Sequence, residues 1–400
     1  MPLPSPAPLP ASASASASAS APAPVRAYVR AYVGACERGF NPDNPDKPCQ
    51  DAIVMEEHAP SDGVIFAVFD GHGVQGHQVA QLLQELLPSA LTASPHFSEF
   101  LPVQDNIAAP GSALEQEELA YSLAHPGGGA GPKHATSLRA PTHAPPLLRR
   151  NVGAALVDAL GALERALLQR GDIDCSLAGS TACIACVTDG DHLTVANVGD
   201  SRAMLFRRGG GGQGSSPELR PLNLSVDHKP TLLSETRRIL LAGGSISPLS
   251  YEDGQDGPMR VWAGGVTPPG PGLAMSRSLG DTMGKLAGVC ATPDIYTARL
   301  CPGEDLFLVL ASDGLWEFIG GGEVAQVLQW AEARAGVEAR EHAAAVEAVG
   351  VEGAEDLPPP RAQLQLALEE LVSRASAKWR EAEGSSDDIG IVLAEVSAAP

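Results

Sequence analysis

Basic residues are scarce in this chain. Lys and Arg number 27 against 48 Asp and Glu, a formal net charge of −21 over 400 residues, and a field of that sign repels phosphate-rich polymers and anionic membranes. The expected partners therefore include no nucleic acid and no membrane, and any phosphate the protein handles must be met by a local cation or basic side chain. Long apolar runs are also missing. No stretch reaches the roughly 18–20 uninterrupted apolar residues of a spanning helix, although hydrophobic residues make up 44% of the sequence and can fill a sizeable core. Cysteines are few and dispersed. Of 7, only Cys183 and Cys186 share a CxxC spacing, and on a strand that odd spacing sends the thiols to opposite faces, which favours buried small hydrophobes over a redox or zinc pair. Thiols used this way suit a reducing compartment, so a cytoplasmic or nuclear location is expected.

What is present falls into one low-complexity segment and one patterned region. Residues 1–24 are chiefly Pro, Ala and Ser without a charge, a composition that cannot supply a core and reads as a disordered tail. Arg26 and Arg30, with no acid before Glu37, give a faint transit-peptide character, so organelle targeting is the lesser alternative. Residues 25–398 read as a single domain interrupted by low-complexity insertions near 102–146, 207–218 and 334–360. Val64–Phe69, Ala182–Val187, Leu193–Val198, Ala203–Phe206, Leu306–Ala311 and Ile389–Val396 are short apolar runs that predict strands, and Asp189-Gly190 between two of them predicts a hairpin. Leu156, Leu160, Leu163 and Leu167 recur at helical spacing and predict a helix over Val152–Arg170. Further helices are expected after Gly76, after Thr231, over Glu323–Arg334 and over Arg361–Glu381. Continuous apolar strands covered by amphipathic helices imply a layered α/β or α+β domain.

Acids recur where these strands end. Asp70 follows the first run in Asp70-Gly71-His72-Gly73, Asp313 follows another in ASDGLW, and Asp200 follows a third in NVGDSR. Asp387-Asp388 precedes the last run and Gln50-Asp51 the first. Brought together away from water, such carboxylates would repel one another strongly, and hard cations bound through oxygen would remove the conflict. The plain alternative is a set of unrelated turn and capping aspartates.

Eight segments, VFDGHG, AGSTA, NVGDSR, LSVDHKP, GLAMSRSLGD, ATPDI, FLVLASDGLW and SDDIGIV, resemble in this order the signature segments of the PP2C (PPM) type of metal-dependent serine/threonine protein phosphatase. The resemblance spans roughly Glu37–Val396. It implies an α+β fold of two packed, mainly antiparallel sheets flanked by helices, acting on phosphoproteins as a monomer through water activated between two cations, Mg2+ or Mn2+. Asp70 would bridge the two metals, the Gly71 carbonyl would ligate one, and Asp313 and Asp387 would complete the other, with Asp200 and Asp313 at a weaker third position. His72 would protonate the leaving oxygen, and Asp51 would orient water. This chain departs from the pattern at Gln50, where many members carry an acid, at Asp46, where many carry a phosphate-binding Arg, and at Gly390, where Thr is usual. Lys47 is the preferred replacement phosphate ligand and Arg38 the second candidate. No Cys-x5-Arg loop of a cysteine phosphatase is present. Met259–Gly272, with Trp262, resembles the family's variable flap, which would bias substrate choice, and a packed Trp is an equal alternative. The alternative function is a non-catalytic PP2C-fold module that binds phosphoproteins.

Overall fold

The central strand of the molecule is apolar on both faces. From Gly63 to Phe69 every residue is buried, and strand alternation sends Val64, Phe66 and Val68 into one hydrophobic cluster while Ile65, Ala67 and Phe69 enter another. Such a strand must be covered on each side, which two stacked sheets with outer helices achieve. The computed structural model describes residues 29–58, 63–98, 101–102, 148–188, 191–209, 218–250, 256–263, 272–301, 303–349 and 362–396.

In chain order the strands are β1 Ala31–Glu37, β2 Asp51–His58, β3 Gly63–His72, β4 Leu101–Pro102, β5 Leu148–Arg149, β6 Gly179–Ser180, β7 Ala182–Thr188, β8 His192–Val198, β9 Arg202–Arg208, β10 Leu219–Asn223, β11 Ser245–Ser250, β12 Asp256–Trp262, β13 Leu279–Gly280, β14 Asp294–Arg299, β15 Asp305–Ala311 and β16 Ile389–Glu395. The helices are α1 Gly76–Ala93, α2 Pro95–Ser98, α3 Val152–Leu168, α4 Leu233–Leu241, α5 Thr282–Leu286, α6 Asp313–Trp316, α7 Gly321–Val349 and α8 Gln363–Glu383. One sheet runs β1-β16-β15-β9-β10, and the other runs β13-β6-β3-β7-β8-β14 with β2 also paired to β3. The ladders of both sheets are antiparallel.

Three hydrophobic cores account for the layering. α1 and α3 cover the outer face of the larger sheet through Leu83, Leu87, Leu156 and Leu160. α7 and α8 cover the outer face of the smaller sheet through Val327, Leu328, Leu368 and Leu371. Between the sheets Phe66 and Leu193 meet Leu308, Leu310 and Val392, and each such side chain withdrawn from water contributes about 1.5–3 kcal/mol. The order is α-β-β-α. Cys183 lies in the inter-sheet core and Cys186 in the core under α1 and α3, so the CxxC thiols do face opposite ways.

The expected strands and helices are present, with further strands beside them and some differences in extent. β3 continues through Asp70 to His72, because Gly71 and His72 pair with Ser180 and Gly179 of β6; the chain turns only at Gly73, whose φ is 81°. β1, β2, β10, β11, β12 and β14 were not among the expected strands; β1 pairs residue by residue with β16 and β2 with β3. α7 runs to Val349, through the first half of the segment read as an insertion from 334, since its Ala and Glu are strong helix formers. Near 207–218, Arg207 and Arg208 close β9 and 210–217 lie outside the described residues, as do the 1–24 tail, 103–146 and the Asp189-Gly190 turn. Among the described residues no helix is long and apolar enough to cross a membrane.

Candidate active site

The ends of β2, β3, β8, β15 and β16 converge at one edge of the sandwich, and each delivers an acid. Asp51 and Asp70 stand opposite each other across the β2–β3 ladder. Gly71 sits where a Cβ would come within 2.3 Å of the Gly76 carbonyl oxygen and 2.7 Å of the Gln50 carbonyl oxygen, so only glycine lets this backbone pass. Gly71 N–H donates to the Gln50 carbonyl (3.0 Å), and Thr181 is bonded to Asp70 through both backbone N–H (2.9 Å) and side-chain hydroxyl (3.1 Å). The acid is held from both sides.

Burial, followed by the charges of Asp51, Asp313, Asp387 and Asp200, pushes the Asp70 carboxyl well above its ordinary range. Asp313 rises for the same reasons: burial first, then Asp200 and Asp387, with Lys229 and a hydrogen bond shared with Asp70 opposing the rise. Asp51 is pushed up to about 7, by burial against the Ser312 hydrogen bond and then by Asp387 and Asp388. Its Oδ2 accepts from Ser312 Oγ at 2.7 Å, while its Oδ1 is buried without a partner. Asp200 is fully buried; Lys229 Nζ donates to its Oδ2, and its Oδ1 also lacks a partner.

Unpartnered buried carboxylate oxygens and mutual crowding are what an oxygen-lined cation site looks like before its charge is balanced. Among the described residues no group of three or more His, Cys, Asp or Glu side chains is arranged so that it could hold a metal ion by itself. For Mg2+ a closed cage is not needed, because it keeps several waters and takes one or two carboxylates. The residues present fit hard divalent cations.

His72, at the tip of β3, adjoins this cluster. Its Nε2 lies 2.7 Å from Asp281 Oδ2 and its Nδ1 is buried without a partner. Burial disfavours the imidazolium, yet the Asp281 carboxylate outweighs it and holds the His72 pKa above the usual value. The Asp281 carboxyl is held below its usual range despite burial, by His72, Ser278 and Lys285.

The departures of this chain have specific consequences. Gln50 donates its amide to the Gly73 carbonyl at 2.7 Å and its N–H to Asp388 Oδ2 at 2.9 Å, so it braces the Gly71–Gly76 turn. Lys47 Nζ is 3.6 Å from Asp387 Oδ1 and 3.3 Å from Asp388 Oδ2, at the rim of the cluster. Arg38 is exposed and lines a groove of about 1100 Å3 between β1, β2, α1 and α8. At Gly390 a Cβ would lie 2.9 Å from Asp51 Oδ2; Gly390 N–H donates to Ser312 Oγ at 2.9 Å instead. Trp262 is half-buried and donates Nε1–H to the Ser247 carbonyl at 3.1 Å, and 264–271 of the flap lie outside the described residues.

Sequence reasoning gave no role to Asp281, Asp388, Lys229 or Ser312. Asp388 is the buried member of its pair, accepting from Gly39 N–H (2.6 Å) and Gln50 N–H (2.9 Å), whereas the Asp387 side chain is 48% exposed. Asp281 and Lys229 stand inside quoted segments, GLAMSRSLGD and LSVDHKP. That position was the available signal.

An α-β-β-α sandwich with an acid cluster at one edge defines the class, and comparison with known proteins gives the family. The family model described as Protein phosphatase 2C matches residues 140–348. Probable protein phosphatase 2C 12 of Oryza sativa subsp. japonica is 33% identical over 282 residues, covering 70% of this chain and 68% of that protein. Probable protein phosphatase 2C 33 of Arabidopsis thaliana is 31% identical over 298 residues, covering 72% of this chain and 58% of that protein. The chain belongs to the protein phosphatase 2C family. Its fold is similar to the crystal structure of a serine-threonine phosphatase 2C from Toxoplasma gondii, with a TM-score of 0.62 at 20% identity, covering 95% of this chain and 99% of that one.

Proposed function

We propose that this chain is a metal-dependent protein serine/threonine phosphatase that hydrolyses phosphoserine and phosphothreonine in phosphoprotein substrates. The observation that carries the reading is the crowd of buried carboxylates at Asp70, Asp313, Asp51 and Asp200, of which Lys229 pairs with Asp200 alone, beside a histidine with an unpartnered ring nitrogen. Asp70, Asp313, Asp387 and the Gly71 carbonyl would hold two Mg2+ or Mn2+ ions, and Asp200 with Asp313 a weaker third. Such ions, when bound, balance the carboxylates, attract the phosphate dianion into an acidic protein and lower the pKa of water toward neutrality.

The chain's own groups do the rest. Asp51, fixed by Ser312, offers its free Oδ1 to orient water toward phosphorus. His72 holds a proton for the departing serine or threonine oxygen, which is a poor leaving group without it. Lys47, at the rim, would neutralise phosphate once a cation satisfies Asp387, and Arg38 is the alternative. No side chain need act as nucleophile. Phosphate release from a phosphothreonine peptide should require millimolar Mg2+ or Mn2+ and stop on chelation. Full turnover after metal stripping would refute the mechanism, and no release under any cation would leave the chain as a phosphoprotein-binding module.

A further inference from the structure

We propose that Asp281 is the positioning residue for His72, its carboxylate accepting the ring's Nε2–H so that Nδ1 is the atom that delivers the proton. This rests on the reading of His72 as general acid. The strand ladders set the pair side by side: His72 of β3 is opposite Gly179 of β6, which is opposite Gly280 of β13, and Asp281 follows directly. Several otherwise costly local features are needed to keep the carboxylate there. Asp281 is the only non-glycine among the described residues with positive φ, at 46°, in the left-handed region that Asp and Asn tolerate better than most. A Cβ at Gly179 would stand 2.2 Å from Asp281 Oδ2, so that position must lack a side chain. Ser278 Oγ donates to the same Oδ2 at 2.5 Å, and the Asp281 side chain is 2% exposed. Lys285 donates to the Ser278 carbonyl and pairs with Glu164 at 3.3 Å, while Glu164 accepts Gly280 N–H at 2.9 Å. The whole turn is braced behind one oxygen that faces one imidazole.

The step balances with water as the only further reactant, its oxygen forming the new bond to phosphorus. As the bond from phosphorus to the serine oxygen breaks, its electron pair stays on that oxygen, which takes the Nδ1 proton. The ring is left neutral with its Nε2–H still on Asp281, and the carboxylate takes no proton. An aspartate that merely stabilised the fold would affect every substrate alike, whereas one that aims the acid matters only when the leaving group needs protonation.

The test uses the full chain with saturating Mn2+ and compares His72→Ala, Asp281→Asn and the double variant on a phosphoserine peptide and on p-nitrophenyl phosphate. Asn keeps the shape and suits the left-handed backbone. Asp281→Asn should lower kcat on the peptide about 10- to 100-fold, the range for partners that orient a functional histidine, and lower it several-fold less on p-nitrophenyl phosphate. In the His72→Ala background it should add almost nothing. Equal losses on the two substrates, or losses that multiply in the double variant, would overturn the proposal. If His72→Ala is selective and Asp281→Asn is not, only the Asp281 role fails. If His72→Ala is itself unselective, the acid reading fails and takes this proposal with it. Should Asp281→Asn unfold, Ser278→Ala, which removes only the hydroxyl donor, must show the same selectivity in weaker form, and its absence would overturn the proposal.

Discussion

Glu235 and Asp70 are both acids drawn out of water, and their surroundings treat them in opposite ways. Glu235, on α4, is fully buried, yet it accepts from Arg238 (2.6 Å), Arg277 (2.8 Å) and Ser276 (2.6 Å), and these partners overcome burial to hold its carboxyl well below the ordinary range. The Asp70 carboxyl is driven the other way by burial and then by the charges of Asp51, Asp313, Asp387 and Asp200. A buried acid with its counter-cations built in is architecture. One that lacks them requires charge from outside, and the contrast marks which acids of this acidic chain are waiting for a ligand.

The sharpest way to break that contrast is to remove one charge from each cluster. Asp70→Asn or Asp313→Asn should remove most of the turnover and leave the chelator-treated fold as stable as wild type or more so, because a repulsion is relieved. Glu235→Gln should do the reverse, costing about 1–3 kcal/mol by replacing a charged acceptor of Arg238, Arg277 and Ser276 with a neutral amide, with any surviving folded enzyme retaining activity. Thermal unfolding in chelator, beside rates with Mn2+, reads both. A stability loss in Asp70→Asn equal to that in Glu235→Gln would mean the clusters do not differ.

The pH dependence sharpens the same point. Asp51 moves from an ordinary value of 3.8 to about 7 on folding, so its contribution to stability is complete below about pH 4 and is lost as pH rises toward 7. In chelator, Asp51→Asn should therefore gain on wild type across that window, by at most about 1.4 kcal/mol per pH unit. A gap that stays constant from pH 4 to 7 would contradict the assignment. The smallest effect is expected at the rim, where Lys47→Ala should raise KM more than it lowers kcat. Unaltered kinetics there, with Arg38→Ala impaired, would move phosphate contact to Arg38.

Much of this arrangement could be read before any coordinates, for identifiable reasons. Asp70, Asp200 and Asp313 each abut an apolar run with an adjacent glycine, a local pattern that survives folding. β1 was hidden because Gly34 and Ala35 interrupt its apolar alternation, and what makes it a strand is its ladder with β16, more than 350 residues away. Asp281 is 209 residues from His72, so the dyad is fixed by the β3-β6-β13 register, which no local window contains. Within Asp387-Asp388 the choice of the inward carboxylate is set by Gly39 and Gln50 N–H groups arriving from the other end of the chain.

Whether the Asp70 cluster is a cation site in waiting is tested most directly by the melting temperature of the metal-stripped protein with and without millimolar Mn2+. Binding to the folded state alone adds roughly 2.7 kcal/mol when the ion stands at a hundred times its dissociation constant. A clear rise in wild type, lost in Asp70→Asn and kept in Glu235→Gln, is the predicted result. No rise in wild type, or an equal rise in Asp70→Asn, would contradict it.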